Sequence, residues 1–188
     1  MNQIVLIRHS ITNQDANSPS SQWRLSHAGR QKCEALSEQL VQYKFTKIIS
    51  SHEPKAIETA ELTTEFLGIS TEVTGGLQEH MRDTVGYIES REMFNSKVKE
   101  LFENPDEIVF GSESANQARE RLAKAIDNLV KQYPDENLGI VTHGTVMSLF
   151  ICEHNSMNAR EFWGRLKMPA YVVLFVPEYE LIDITYSI

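Results

Sequence analysis

The chain has 188 residues, 41% apolar and 23% charged, with a formal net charge of −8. That length suits one domain with a sizeable core, and the composition is that of a soluble globular protein. The acidic balance disfavours a nucleic-acid binder that relies on phosphate contacts, and any anionic substrate would need a local positive potential.

The predicted elements alternate between strand and helix. Gln3 to Ile7 is a near-continuous apolar run, as in a parallel strand covered on both faces. Residues 13–21, rich in Ser, Asn, Asp and Pro, read as an exposed loop. Ser26 is the expected N-cap of a helix whose apolar positions Cys33, Leu36, Leu40 and Val41 keep helical spacing. Lys47 to Ile49 forms a second strand ending in Ser50-Ser51. Pro54 opens a helix that Gly68 ends, and residues 70–74 form a third strand. Residues 75–88 lack periodicity. A helix follows from Glu89 to Phe102, then a longer one to about Lys131, capped by Ser112 or Ser114. Asn137 to Thr142 is a strand leading into a helix from about Thr145 to Cys152. Ala170 to Val176 and Glu180 to Ile184 close the chain as paired strands. The expected architecture is a single α/β domain over residues 1–188: a three-layer α/β/α sandwich with a mostly parallel central sheet. Residues from about 75 to 112 are the candidate lid-like insertion.

Two strand ends carry the chemistry. Arg8-His9-Ser10 ends the first strand and His143-Gly144-Thr145 follows Val141-Thr142. Open α/β sheets bind ligands at the carboxyl ends of their strands, so these residues could meet over one small anion. A neutral imidazole at His9 is a competent nucleophile toward phosphorus. Arg8 offers a fork of donors matched to phosphate oxygens, and His143 another donor. The helix that begins at Gly144-Thr145 presents N–H groups that favour an anion. Glu79 could protonate a leaving oxygen and then activate water, with Asp15 and Asp83 as weaker candidates. His27, His52, His80 and His154 read as surface or capping residues. A zinc site built on His9 and His143 lacks further ligands at suitable spacing, so no metal or other cofactor is expected. Cys33 and Cys152 form no C-x-x-C pair and read as reduced, buried thiols. No segment approaches the roughly 20 apolar residues of a membrane span, and the N-terminus lacks a signal-peptide pattern. A cytoplasmic location is the default.

Taken in order, Arg8-His9-Ser10, Leu25-Ser26-His27-Ala28-Gly29, Ile48-Ile49-Ser50-Ser51, Lys55-Ala56-Ile57-Glu58-Thr59-Ala60, Leu77-Gln78-Glu79, Gly111-Ser112-Glu113-Ser114 and Val141-Thr142-His143-Gly144 resemble the histidine phosphatase superfamily, which includes the phosphoglycerate mutases. The resemblance implies a phosphoglycerate mutase-like fold, with His9 as the phosphorylated nucleophile and Glu79 as proton donor. Arg8, His143 and position 55 would hold the phosphoryl group. Two positions depart from the pattern. Lys55 stands where the family has arginine, a point charge in place of a bidentate fork, which lowers the rate, shifts the charge to Arg82 or Arg30, or leaves the pocket non-catalytic. Ser10 replaces glycine, and its hydroxyl either adds a phosphate donor or crowds the nucleophile.

The expected activity is metal-independent hydrolysis of phosphomonoesters, on a small phosphorylated substrate or a phosphoprotein, with no nucleic-acid or membrane partner. The alternative is a non-catalytic phosphoryl-ligand binding protein of the same fold. A mutase is disfavoured by the short stretch from Gly75 to Gly111. Met81, Val85, Tyr87, Met93 and Phe94 either contact a leaving group or pack the lid down. Neither substrate nor oligomeric state is legible.

Overall fold

Alternate residues of the first strand go to opposite cores, and this organises the molecule. The structure is a computed structural model that describes residues 3–188. Strand β1 (Gln3–Arg8) sends Ile4 and Leu6 to one face and Val5 and Ile7 to the other, and all four are buried. Fully burying such a side chain contributes roughly 1.5–3 kcal/mol. The strand has period two, but both faces are covered, so the sequence reads as a continuous apolar run.

Around β1 lie β2 (Lys47–Ser51), β3 (Thr71–Thr74), β4 (Leu138–Thr142), β5 (Ala170–Phe175) and β6 (Glu180–Thr185), in the order β3-β2-β4-β1-β5-β6. The β3–β2, β2–β4 and β4–β1 pairs are parallel, while β5 runs antiparallel to both β1 and β6. The mostly parallel α/β sandwich is therefore as expected.

Helices α1 (His27–Leu40) and α2 (Pro54–Leu67) cover one face, packing Leu36, Leu40, Ala56 and Ala60 on Val5, Ile7, Ile48 and Val141. The opposite face takes α4 (Ala115–Gln132) and α5 (Gly144–Asn155). Helix α4 presents a stripe of Ala118, Leu122, Ile126 and Leu129. It starts at Ser114, whose hydroxyl accepts from Gln117 N while Gln117 answers Ser114 N, a complete capping box. Helix α5 is buried over its whole first stretch, Gly144 to Cys152, because it lies between the sheet and other helices.

Helix α3 (Arg91–Glu103) begins two residues later than expected, at N-cap Ser90. Helix α6 (Ala159–Arg165) was not anticipated; it is seven residues long, carries Gly164, and is started by Asn158 accepting from Glu161 N. No helix among the described residues is long and apolar enough to cross a membrane.

Candidate active site

Strand register brings the two histidines together. Arg8 pairs with Thr142, and His9 N donates to Thr142 O at 3.1 Å, so the residues leaving β1 and β4 emerge side by side. The rings of His9 and His143 lie 5.1 Å apart, centroid to centroid. Over the strand ends opens a cavity of about 330 Å³ with Arg8, His9, Lys55, Glu79, Arg82 and Thr145 among its lining residues.

His9 is nearly buried, and its Nδ1–H donates to the Ser10 carbonyl at 2.7 Å. That assignment leaves Nε2 with its lone pair. Burial, then the neighbouring His143 ring and the positive Lys55 and Arg8, hold the ring well below the ordinary histidine value, so it stays neutral. The backbone after it is fixed by Ser10 N, which donates to Thr59 Oγ1 at 3.0 Å; Thr59 in turn donates to Lys55 O. The threonine of the Lys-Ala-x-x-Thr-Ala segment thus fixes the backbone that follows His9.

The Arg8 guanidinium donates through Nη1 to Leu166 O and rests against Gly144. A Cβ on Gly144 would come within 2.7 Å of Arg8 Cζ, which explains the glycine after His143. Burial lowers the Arg8 pKa to about 10, and Nε lacks a partner among the described residues.

His143 is wholly buried beside His9 rather than on the cavity wall. Its Nε2 lies 2.9 Å from Ser51 Oγ, and its Nδ1 lacks a partner among the described residues. Burial, and then Lys55, keep its pKa well below 6.5.

Glu79 is anchored on all sides. Its carboxylate accepts from Thr145 N and Val146 N, both at 3.1 Å, and from His80 N at 2.9 Å. The anion at the α5 N-terminus is therefore Glu79 itself. Burial pushes its carboxyl up, but Arg82 and the backbone N–H groups outweigh that and hold it at about 2. Its main chain is clamped by Arg121, which donates to Gly76 O, Gln78 O and Glu79 O at 3.0, 2.9 and 3.2 Å. Arg121 is neutralised by buried Glu113 at 2.5 Å, and Glu113 also accepts from Met81 N. Gly111, at φ +126, leaves room for Met81 O, which a Cβ would approach to 2.2 Å. The Gly-Ser-Glu-Ser segment therefore secures the loop that carries Glu79.

Several expectations need correction. Ser10 is not a phosphate donor: its hydroxyl is spent on Gly29 O at 2.7 Å, and it is absent from the cavity lining. The Thr145 N–H is likewise taken, by Glu79, although the residue lines the cavity. Arg30 pairs with Glu58 at 2.9 Å, so of the two arginines expected to supply charge it is Arg82, stacked on Phe94 and Phe110, that lines the cavity. His80 is buried, with Nε2 2.8 Å from Glu113 O and its ring stacked on Phe110. Asp15 is exposed and accepts from Asn17 N, and Asp83 accepts from Ser21 Oγ. Of the apolar residues between 81 and 94, Val85, Tyr87 and Phe94 reach the cavity, while Met81 and Met93 are exposed.

Glu53, Trp23 and Trp163 were missed. Glu53 forms an ion pair with Lys55 and accepts from Glu79 N at 2.7 Å. Its place two residues before the predicted cation was the available signal. Trp23 and Trp163 line the cavity, and no sequence pattern marks them.

This is an α/β protein that gathers imidazole and cationic side chains around one cavity at the carboxyl ends of its central strands. The family model for the histidine phosphatase superfamily (branch 1) matches residues 4–180, and the chain belongs to that family. No curated protein sequence matched it. Among solved structures, it is similar to phosphoserine phosphatase from Entamoeba histolytica in complex with 3-phosphoglyceric acid (TM-score 0.80, 19% identity, 98% of this chain and 97% of that one). It is also similar to a mycobacterial glucosyl-3-phosphoglycerate phosphatase (0.76, 18%, 100% and 99%) and to alpha-ribazole phosphatase from Shigella flexneri (0.74, 19%, 98% and 96%). At such identities the shared property is the fold.

Proposed function

We propose that the chain hydrolyses phosphomonoesters without a metal ion, through a covalent phosphohistidine at His9. The observation that carries this reading is the 2.7 Å contact of His9 Nδ1 with Ser10 O: a carbonyl only accepts, so Nδ1 carries the proton, and burial keeps Nε2 unprotonated. The Nε2 lone pair attacks phosphorus as the ester P–O bond breaks. The leaving oxygen takes that electron pair and a proton from Glu79. Water then attacks the phosphohistidine, gives a proton back to Glu79, and releases phosphate as Nε2 recovers its lone pair. Arg8 and Lys55, on the cavity wall, hold the phosphoryl oxygens, and His143, buried beside His9, adds its Nδ1, which lacks a partner among the described residues. Glu79 gains its proton in the complex, because an incoming dianion offsets the positive charge of Arg82 that keeps the carboxyl ionised.

Residues from about 75 to 112 serve as the lid. The substrate is a small phosphorylated molecule or a phosphoprotein side chain. Its leaving group lies among Trp23, Tyr87, Phe94 and Trp163. The two buried, unpaired cysteines suit the cytoplasm.

Incubation with an aryl phosphate in EDTA tests the reading. Release should continue with EDTA, disappear in His9→Ala, and be accompanied by a trappable phosphoryl adduct on His9. Release that stops with EDTA but survives His9→Ala would overturn it. A second reading, phosphoryl binding without turnover, draws on Lys55 being paired with Glu53 before any ligand arrives. Hydrolysis that depends on His9 excludes it.

A further inference from the structure

We propose that Glu53 is a positioning residue that competes with the phosphoryl group for Lys55 and so sets how weakly the pocket holds anions. This rests on the pocket being a phosphoryl site. Glu53 precedes α2 at the N-cap position, where a carboxylate ordinarily accepts helix N–H groups. Here its side chain makes no capping hydrogen bond. Both oxygens are instead spent inside the site, and the residue is only 4% exposed. Oε2 pairs with the Lys55 ammonium. Oε1 accepts from Glu79 N at 2.7 Å and lies 3.5 Å from His143 Nε2. One carboxylate thus touches the second cation, the main chain of the proton donor and the second imidazole.

The consequence follows from donor and charge counting. An ammonium has three N–H donors. Lys55 gives one to Glu53 and another to Ser20 O at 2.7 Å. One donor remains for a phosphoryl oxygen, where a guanidinium would present a planar fork. The cations lining the cavity are Arg8, Lys55, Arg82 and Arg91, and the acids are Glu79 and Glu89, with Glu53 behind Lys55. With both imidazoles neutral, about one net positive charge faces a phosphoryl dianion. The pocket therefore holds inorganic phosphate loosely, and substrate affinity comes largely from contacts with the leaving group.

Calorimetric titration of the full chain with inorganic phosphate at neutral pH, with no turnover required, tests this on wild type, Glu53→Gln and Glu53→Ala. Glutamine keeps an oxygen for Glu79 N, removes the charge, and puts an NH2 that cannot accept from Lys55 in place of the other oxygen. Phosphate should bind about tenfold more tightly to Glu53→Gln, as expected for removing one like charge a few ångströms away in a partly desolvated site. Glu53→Ala should move in the same direction. A residue that merely braced Lys55 would give weaker binding when lost. Equal or weaker binding in the folded variants overturns the proposal and leaves the phosphoryl site standing. Loss of the fold in both variants also overturns it, since Glu53 would then be structural. If phosphate binds neither wild type nor variants, the phosphoryl reading of the pocket fails first.

Discussion

Glu79 illustrates how a residue can be legible in type and illegible in state. Its position after Leu77-Gln78 marked it as a proton donor, but nothing in the sequence foretold that its carboxylate would sit on Thr145 N and Val146 N with a pKa of about 2. Those bonds depend on α5 and the loop after β3 meeting in space, a contact between residues 66 and 67 positions apart. His9, Arg8 and His143 were legible because strand ends are local signals. Glu53 was not, because a glutamate is ordinarily a solvated surface residue. If Glu79 supplies the leaving-group proton, Glu79→Gln should lower kcat by about 10²–10⁴ for alkyl phosphates. The loss should be much smaller for nitrophenyl phosphate, whose leaving oxygen departs without a proton. Steady-state rates on the two substrates check this, and equal losses would count against the role.

At the level of elements, the well-read pieces were those whose start signals are self-contained. Ser26 and Ser114 cap α1 and α4 by bonds to residues three positions on, and such bonds are visible in sequence. Choosing between Ser112 and Ser114 required the structure: Ser114 is buried and reciprocated by Gln117, while exposed Ser112 donates to Met81 O. Ser114→Ala should therefore cost about 1 kcal/mol of unfolding free energy, while Ser112→Ala should stay within about 0.5 kcal/mol. Urea denaturation of the two variants separates them. Helix α6 escaped notice because seven residues including a glycine give little periodicity, and its order comes from packing, with Trp163 against Phe94 and Phe102. Through Trp163 this helix supplies part of the cavity wall.

The whole molecule stores charge-sensitive groups where water cannot reach them, and its stability should carry that signature. Burial first, and then neighbouring positive groups, hold His9 and His143 well below 6.5. The unfolded chain accepts protons near pH 6.5 that the folded chain refuses, so these residues' contribution is complete above that pH and declines as pH falls through it. Glu79 acts with the same sign lower down: its contribution is intact above the unfolded value of 4.5 and disappears toward about 2. The urea midpoint should therefore drop between pH 7.5 and pH 5 and drop further below 4.5; a flat or rising midpoint would contradict the buried neutral pair. One further property belongs to this scale. The loop of residues 13–23 and the stretch of residues 83–87 are joined over the cavity by Trp23 edge-on to Tyr87, Tyr87 hydroxyl to Gln14 at 3.3 Å, and Ser21 to Asp83 at 2.7 Å. All three are side-chain contacts between loops, and none involves the sheet. Parting the two loops there would take only rotamer changes, which exposed side chains make on the picosecond-to-nanosecond scale, and no strand that aims His9 would need to move.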